Sequence, residues 1–221
     1  MSPLIARRLR STATVRNPDA LVDLTYDDFS GAIRPLQIRN EFREMIRRVA
    51  KASPRRILEI GTANGGTLFA LTRSAVDDAT VISVDLPIGL FGGGYPAWKK
   101  SLYTRFAVSG QRLHLIRGNS HSPAVFQQVR QHLGIERLDV LFIDGDHRYE
   151  GVKADYNMYA PLLRAGGLLI LHDIVESQFD RSVEVARFWR ELKSDADLAH
   201  HSEIIADSAQ GYAGIGIAVK R

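Results

Sequence analysis

The sequence predicts a three-layer α/β domain built on a mostly parallel sheet, and three observations carry that expectation. Continuous apolar runs recur at 56–61, 80–86, 113–118, 138–143 and 167–172, the pattern of strands covered by helices on both faces. Stretches of helical period separate them, at 66–75, about 97–108, 122–132 and 148–163; alternation of strand and helix marks a three-layer arrangement. Two last runs, 203–207 and 214–219, lie close together and read as an antiparallel edge hairpin, which brings the sheet to seven strands.

Ahead of these strands, Leu36, Ile38, Phe42, Met45, Ile46 and Val49 fall near helical spacing with arginines between them, so an amphipathic helix is expected over 35–50. Pro35 suits its first turn. Residues 1–34 are expected to be a flexible basic arm and 35–221 the folded domain. Residues 1–56 hold 12 Lys/Arg against 6 Asp/Glu, and the remainder 17 against 19, which accounts for the net charge of +4. No interleaving of basic and aromatic residues accompanies that surplus, so a solvated face is expected rather than a nucleic-acid partner. With no cysteine in 221 residues, disulfides and thiolate chemistry are excluded. No apolar run approaches the roughly 20 residues of a membrane span, and a cytoplasmic protein is expected.

The run Ile57-Leu58-Glu59-Ile60-Gly61-Thr62-Ala63-Asn64-Gly65-Gly66 is a buried strand breaking into a small-residue turn. Such a turn lets backbone approach a ligand, and the helix after it offers free N–H groups. Asp85 closes the next strand at the distance expected of a residue that accepts hydrogen bonds from ribose hydroxyls. A dinucleotide site needs glycine where Ala63 stands, because its pyrophosphate touches the backbone there. Instead, Glu59-x-Gly61-x-x-x-Gly65 resembles motif I of class I S-adenosyl-L-methionine methyltransferases. That resemblance implies the Rossmann-like class I methyltransferase fold, with strand order 3-2-1-4-5-7-6. It also implies a cofactor-binding set of Glu59, Gly61, Thr62, Ala63, Gly65, Asp85, Leu86, Asn119, Ser120 and Asp144, with Asn119 and Ser120 beside the adenine.

The run 138–143 delivers Asp144, Asp146 and His147 to one strand end, and the next strand ends in His172-Asp173. Neighbouring parallel strands lie about 4.8 Å apart, so these groups converge on one small volume. Phe142-Ile143-Asp144-Gly145-Asp146-His147-Arg148-Tyr149-Glu150-Gly151-Val152-Lys153-Ala154-Asp155, with Pro161-Leu162-Leu163, Gly166-Gly167 and His172-Asp173, resembles the methyltransferase-24 group. That group is similar to the macrocin- and mycinamicin-type sugar O-methyltransferases and to cephalosporin-cluster and rhamnosyl methyltransferase proteins. The resemblance implies a divalent metal, Mg or Mn, on Asp144, His172 and Asp173, with His147 as the base and Asp144 beside it in the catalytic set. His172 stands where the sugar enzymes have Glu, and an imidazole shifts preference away from Mg²⁺.

The implied activity is O-methylation of a hydroxyl on a small polar molecule, a sugar or a secondary metabolite, by a soluble enzyme for which a homo-oligomer remains open. A metal-independent methyltransferase and a non-catalytic cofactor-binding accessory protein stand as alternatives. The Gly-rich segment 87–96, with Phe91, Tyr95 and nearby Trp98, reads equally as a lid or as a connection. His121 is expected to be a solvated loop residue, and Trp189 to anchor a helix on the sheet.

Overall fold

The computed structural model describes residues 3–88, 94–108 and 110–221. Its core is one seven-stranded sheet in the order β3-β2-β1-β4-β5-β7-β6. The strands are β1 (Arg56–Ile60), β2 (Thr80–Asp85), β3 (Arg112–Arg117), β4 (Leu138–Ile143), β5 (Leu163–His172), β6 (Leu198–Ile204) and β7 (Ile215–Lys220). The first five run parallel, and β7 pairs antiparallel with both β5 and β6. This is the order implied by the resemblance. It reverses between β1 and β4, and in open α/β sheets such a switch point opens a crevice at the strands' carboxyl ends.

Helices cover both faces: α1 (Pro3–Ser11), α2 (Pro18–Asp27), α3 (Arg39–Ala52), α4 (Gly66–Ser74), α5 (Lys100–Tyr103), α6 (Pro123–Leu133), α7 (Tyr149–Tyr159) and α8 (Val185–Leu192). The helix expected over 97–108 shrinks to a 3-10 turn and the single turn of α5. Packing of Tyr103 between Tyr95 and Phe106 holds that region instead. β5 starts at Leu163, ahead of the expected 167, and Gly166 lies within it at φ +76°. β6 lies earlier than the expected 203–207. Its polar composition and the irregularity between Ala199 and Ser202 deny it a continuous apolar signal. Trp189 is buried against Gly216 of β7, as expected of a sheet anchor.

The N-terminal expectation needs correction, because residues 18–34 are part of the folded core. Asn17 caps α2 by accepting from Ala20 N at 3.1 Å, with Pro18 in the first turn. Leu21, Val22, Phe29 and Ile33 are buried in one cluster with Phe42, Met45 and Phe69. Burial of apolar surface holds this segment down, which sequence period alone did not reveal. The buried guanidinium of Arg73 ties α1's end to the core, donating to the carbonyls of Thr12 at 2.8 Å and Phe106 at 2.6 Å.

Several arginines of the N-terminal segment pair with its own aspartates. Along the α2–α3 seam, Arg39 pairs with Asp23 and Asp27, Arg43 with Asp23 at 2.7 Å, and Arg47 with Asp19 at 2.8 Å. Arg8 pairs with Asp28 at 2.6 Å. Exposed pairs of this kind add little stability. Among the described residues no helix is long and apolar enough to cross a membrane.

α3 begins at Arg39, four residues after Pro35. Residues 36 and 37 bend ahead of the helix and Ile38 is extended, the Gln37 carbonyl accepting from the Tyr26 hydroxyl at 2.6 Å while its side chain donates to Asp144. From α3 the fully buried Glu41 accepts from Ala206 N at 2.9 Å, Gln210 Nε2 at 2.7 Å and Gly214 N at 3.1 Å. One carboxylate thereby fastens the whole β6–β7 connection. Removing it leaves buried donors unpaired, so Glu41→Ala is expected to lower the unfolding free energy by about 3 kcal/mol in urea titration. A loss below about 1 kcal/mol would show that the connection is held some other way.

Candidate active site

A cavity of about 310 Å³ opens along the carboxyl ends of β1, β2, β3, β4 and β5. Gly61, Ala63, Asp85, Leu86, Asn119 and Ser120 line one end, and Asp144, His147, His172 and Asp173 the other. Of the residues expected to hold a cofactor, Glu59, Thr62 and Gly65 stand behind this wall rather than in it.

Gly61 makes the junction between the two ends possible. Its N–H donates to Val84 O at 2.9 Å, and Asp144 N donates to Ile60 O at 2.8 Å, so β2, β1 and β4 end in register. At φ +93°, a Cβ on residue 61 would overlap the Asp144 carbonyl oxygen. Gly65 has a different reason: at φ +86° its bare Cα accepts the Tyr103 ring, whose hydroxyl donates to Ala63 O at 3.0 Å. Ala63 itself sits in the left-handed region at φ +44°, a conformation a non-glycine residue holds only when neighbours enforce it.

Glu59 is fully buried beneath this loop. Its Oε2 accepts from Ser83 Oγ at 2.9 Å, Ser83 also bonds Thr62 Oγ1, and Oε1 has no hydrogen-bond partner among the described residues. Burial drives its pKa well above the usual carboxyl value, with Asp85 and Asp144 adding to the effect against the Ser83 hydrogen bond. Asp85 is likewise raised, first by burial. Its two oxygens accept from Gly94 N at 3.3 Å and Tyr95 N at 3.1 Å, and a carboxylate oxygen keeps a second lone-pair site for a ligand. Of the segment read as a lid or connection, Phe91, Gly92 and Gly93 lie outside the described residues. Tyr95 is buried in the core, and Trp98 is exposed without lining the cavity.

At the other end two carboxylates and two imidazoles form one cluster. His172 Nδ1 lies 3.2 Å from Asp144 and 3.3 Å from Asp173; His147 lies 3.4 Å from Asp144 through Nε2 and 3.2 Å from Asp173 through Nδ1. Burial opposes charge on both rings, yet the carboxylates prevail and raise both pKa values, His172 the more strongly. Burial also opposes charge on Asp144, but His172 and His147 hold its pKa far below the ordinary range. Asp173 keeps φ +62°, left-handed for a residue with a side chain. Donor atoms within 4.8 Å of one another come from Asp144, His147 and Asp173. His147, read from the sequence as the base, thus joins the candidate metal donors in the place expected of His172, whose Nε2 is buried without a partner.

Two residues here escaped the sequence reading. Gln37 donates to Asp144 Oδ2 at 2.6 Å and accepts from Thr67 Oγ1 at 3.2 Å, so it aims Asp144 from the N-terminal side. His121 is no solvated loop residue: it lines the cavity, and its Nε2 lies 3.3 Å from the fully buried Asp155. The Asp155 bond raises its pKa against burial. Neither residue carries a local signal, because each acts through a partner distant in the chain.

A family model described as a methyltransferase domain matches residues 58–174. Among curated proteins, uncharacterized protein R132 of Acanthamoeba polyphaga mimivirus is 29% identical over 126 residues, 57% of this chain and 54% of that protein. Uncharacterized protein y4gI of Sinorhizobium fredii is 28% identical over 142 residues, 63% of this chain and 15% of its own length. The chain therefore spans well under two thirds of either relative. An O-methyltransferase from Bacillus cereus in complex with SAH superposes with a TM-score of 0.66 at 19% identity, covering 98% of this chain and 97% of that one. TomG from Streptomyces achromogenes, an O-methyltransferase involved in tomaymycin synthesis and solved with SAM, gives 0.60 at 17%, covering 100% and 99%. Cofactor-bound Rv0187 from MTB gives 0.62 at 19%, covering 100% and 98%. These likenesses establish a shared fold.

The Gly61 contact yields a direct test of the junction. Gly61→Ala is expected to destabilise the protein by about 3 kcal/mol or more, since it combines an unfavourable φ with backbone overlap. Urea unfolding indistinguishable from that of the unaltered protein would mean that β1 and β4 do not approach this closely.

Proposed function

The chain belongs to the methyltransferase-domain family, and on that premise we propose that it is an S-adenosyl-L-methionine-dependent O-methyltransferase acting on a hydroxyl of a small molecule. One observation carries this reading: a single cavity joins an end bounded by Asp85 and Asn119 to the cluster of Asp144, His147, His172 and Asp173.

The residues present fit the cofactor. The glycine cradle at Gly61 leaves room for close approach, Asp85 retains acceptor capacity toward ribose, and Asn119 and Ser120 flank the position of the adenine. The orphaned Glu59 Oε1 beneath the loop offers an acceptor toward the amino-acid part, through the Thr62 turn. Bound there, S-adenosyl-L-methionine supplies a methyl group whose sulfur keeps the bonding pair on transfer. His147 takes the proton of the acceptor hydroxyl as the oxygen–carbon bond forms. Asp144 and Asp173 orient its ring and stabilise the imidazolium it becomes. Burial excludes water from this end of the cavity and strengthens each of these interactions.

The donor set also fits a divalent ion, whose charge would balance Asp144 and Asp173. Those two carboxylates and one of the two rings would hold it, the other ring serving the proton, and it would supply positive charge beside the acceptor oxygen. His172 makes Mn²⁺ a better match than Mg²⁺. A metal-independent transfer is the second reading. It is favoured by the fact that both oxygens of Asp144 already have partners, Gln37 on one and the two histidines on the other.

Asp85→Ala is expected to weaken S-adenosylhomocysteine binding at least about tenfold in calorimetry; unchanged affinity would remove the nucleoside end from the cavity. His147→Ala is expected to cut turnover by roughly 10²- to 10⁴-fold with cofactor affinity retained, and full turnover at neutral pH would exclude it as the base. Titration with MnCl₂ in the presence of S-adenosylhomocysteine is expected to show uptake that Asp173→Ala abolishes. No uptake together with EDTA-insensitive turnover would establish the metal-independent reading.

A further inference from the structure

The acceptor side of the cavity carries a wall that neither the cofactor nor the acid–base cluster accounts for. Among the described residues nine large hydrophobic side chains are exposed, and four of them lie at or beside the cavity, three of these on this side. Leu36, Leu86 and Tyr212 line the cavity, and Phe179 packs edge-on against Tyr212 with ring centroids 5.8 Å apart. Leu86 follows Asp85 and belongs to the nucleoside end. The other three lie beyond β4, where Leu36 is 65% exposed, Phe179 79% and Tyr212 44%. Apolar surface kept in water at the mouth of a cavity is a cost unless a ligand covers it.

This wall is held in place rather than draped over the surface. Tyr212 sits between Gly211 and Ala213, both in the left-handed region at φ +65° and +60°. The same connection is fastened to Glu41 of α3 and to the segment after β5. Val175 N donates to Ala213 O at 2.8 Å, and Gln178 N to Gly211 O at 2.9 Å. Backbone fixed on two sides presents the Tyr212 ring to the cavity beside Asp173, with little freedom to withdraw. The Asp146 and Arg148 side chains bordering the mouth are paired with each other.

Resting on the O-methyltransferase reading, we infer that the acceptor is a planar aromatic ring bearing the hydroxyl, its face against Tyr212 and its edge toward Leu36, rather than a sugar. An aryl hydroxyl ionises near pKa about 10, as tyrosine does, which also suits an imidazole base. In the transfer the aryl O–H bond breaks toward His147, the new bond joins that oxygen to the methyl carbon, and the sulfur leaves as a neutral thioether.

The test is calorimetric binding of 2,3-dihydroxynaphthalene and, separately, methyl α-rhamnoside to protein saturated with S-adenosylhomocysteine. Turnover of each with labelled S-adenosyl-L-methionine is measured in parallel. The naphthalene diol is expected to bind and to accept methyl. Tyr212→Ala is expected to weaken its binding at least about tenfold, and Tyr212→Phe, which keeps the ring, to restore it. S-adenosylhomocysteine affinity serves as the folding control for both variants. Binding of the rhamnoside alone, or naphthalene binding indifferent to Tyr212→Ala, overturns the aromatic assignment while leaving methyl transfer intact. Failure of S-adenosylhomocysteine itself to bind the unaltered protein sinks the methyltransferase reading and this inference with it.

Discussion

The closeness of β1 and β4 at their carboxyl ends is the constraint on which the rest of the site depends. Gly61 has no side chain because the Asp144 carbonyl occupies the space a Cβ would need, and Asp144 N reaches back to Ile60 O. At a reversal of strand order the two loops leave in opposite directions, so a crevice opens above the junction. Asp85, Asn119 and Ser120 lie on the β2–β3 side of that line, and the cluster of Asp144, His147, His172 and Asp173 on the β4–β5 side.

Charge at the cluster is arranged as a closed set. Asp144 and Asp173 each face both His147 and His172, and burial makes separating any one of them from its partners expensive. Gln37 supplies a neutral contact, and it comes from a segment that precedes the first strand. The N-terminal helices are therefore structural members of the site. Packing of α2 against α3, reinforced by the arginine–aspartate ladder, places residues 35–38 where Gln37 reaches Asp144 and Leu36 reaches the cavity mouth.

The same helix steadies the opposite rim. Glu41, on α3, fastens the β6–β7 connection from within the protein, so one amphipathic helix positions both Leu36 and Tyr212. Leu36 and Tyr212 thus line one cavity from chain segments remote from each other in sequence. A buried carboxylate with three donors is a stiff anchor, since moving the loop would strand those donors without partners.

Local periodicity sufficed for the strands that bear Asp85, Asp144 and His172-Asp173, because a strand buried on both faces advertises itself by a continuous apolar run and its polar end by where that run stops. The motif around Gly61 and the cluster at 144–147 were legible for the same reason, along with the order of the sheet once a family resemblance was granted. The polar edge strand β6, the burial of residues 18–34, and the reach of Gln37, Glu41, His121 and Tyr212 were decided by tertiary structure alone. Each of those depends on a partner remote in the chain, Gln37 on Asp144 and Glu41 on Gly214 among them. A side chain whose role is set by what folding brings beside it leaves no trace in its own neighbourhood of the sequence.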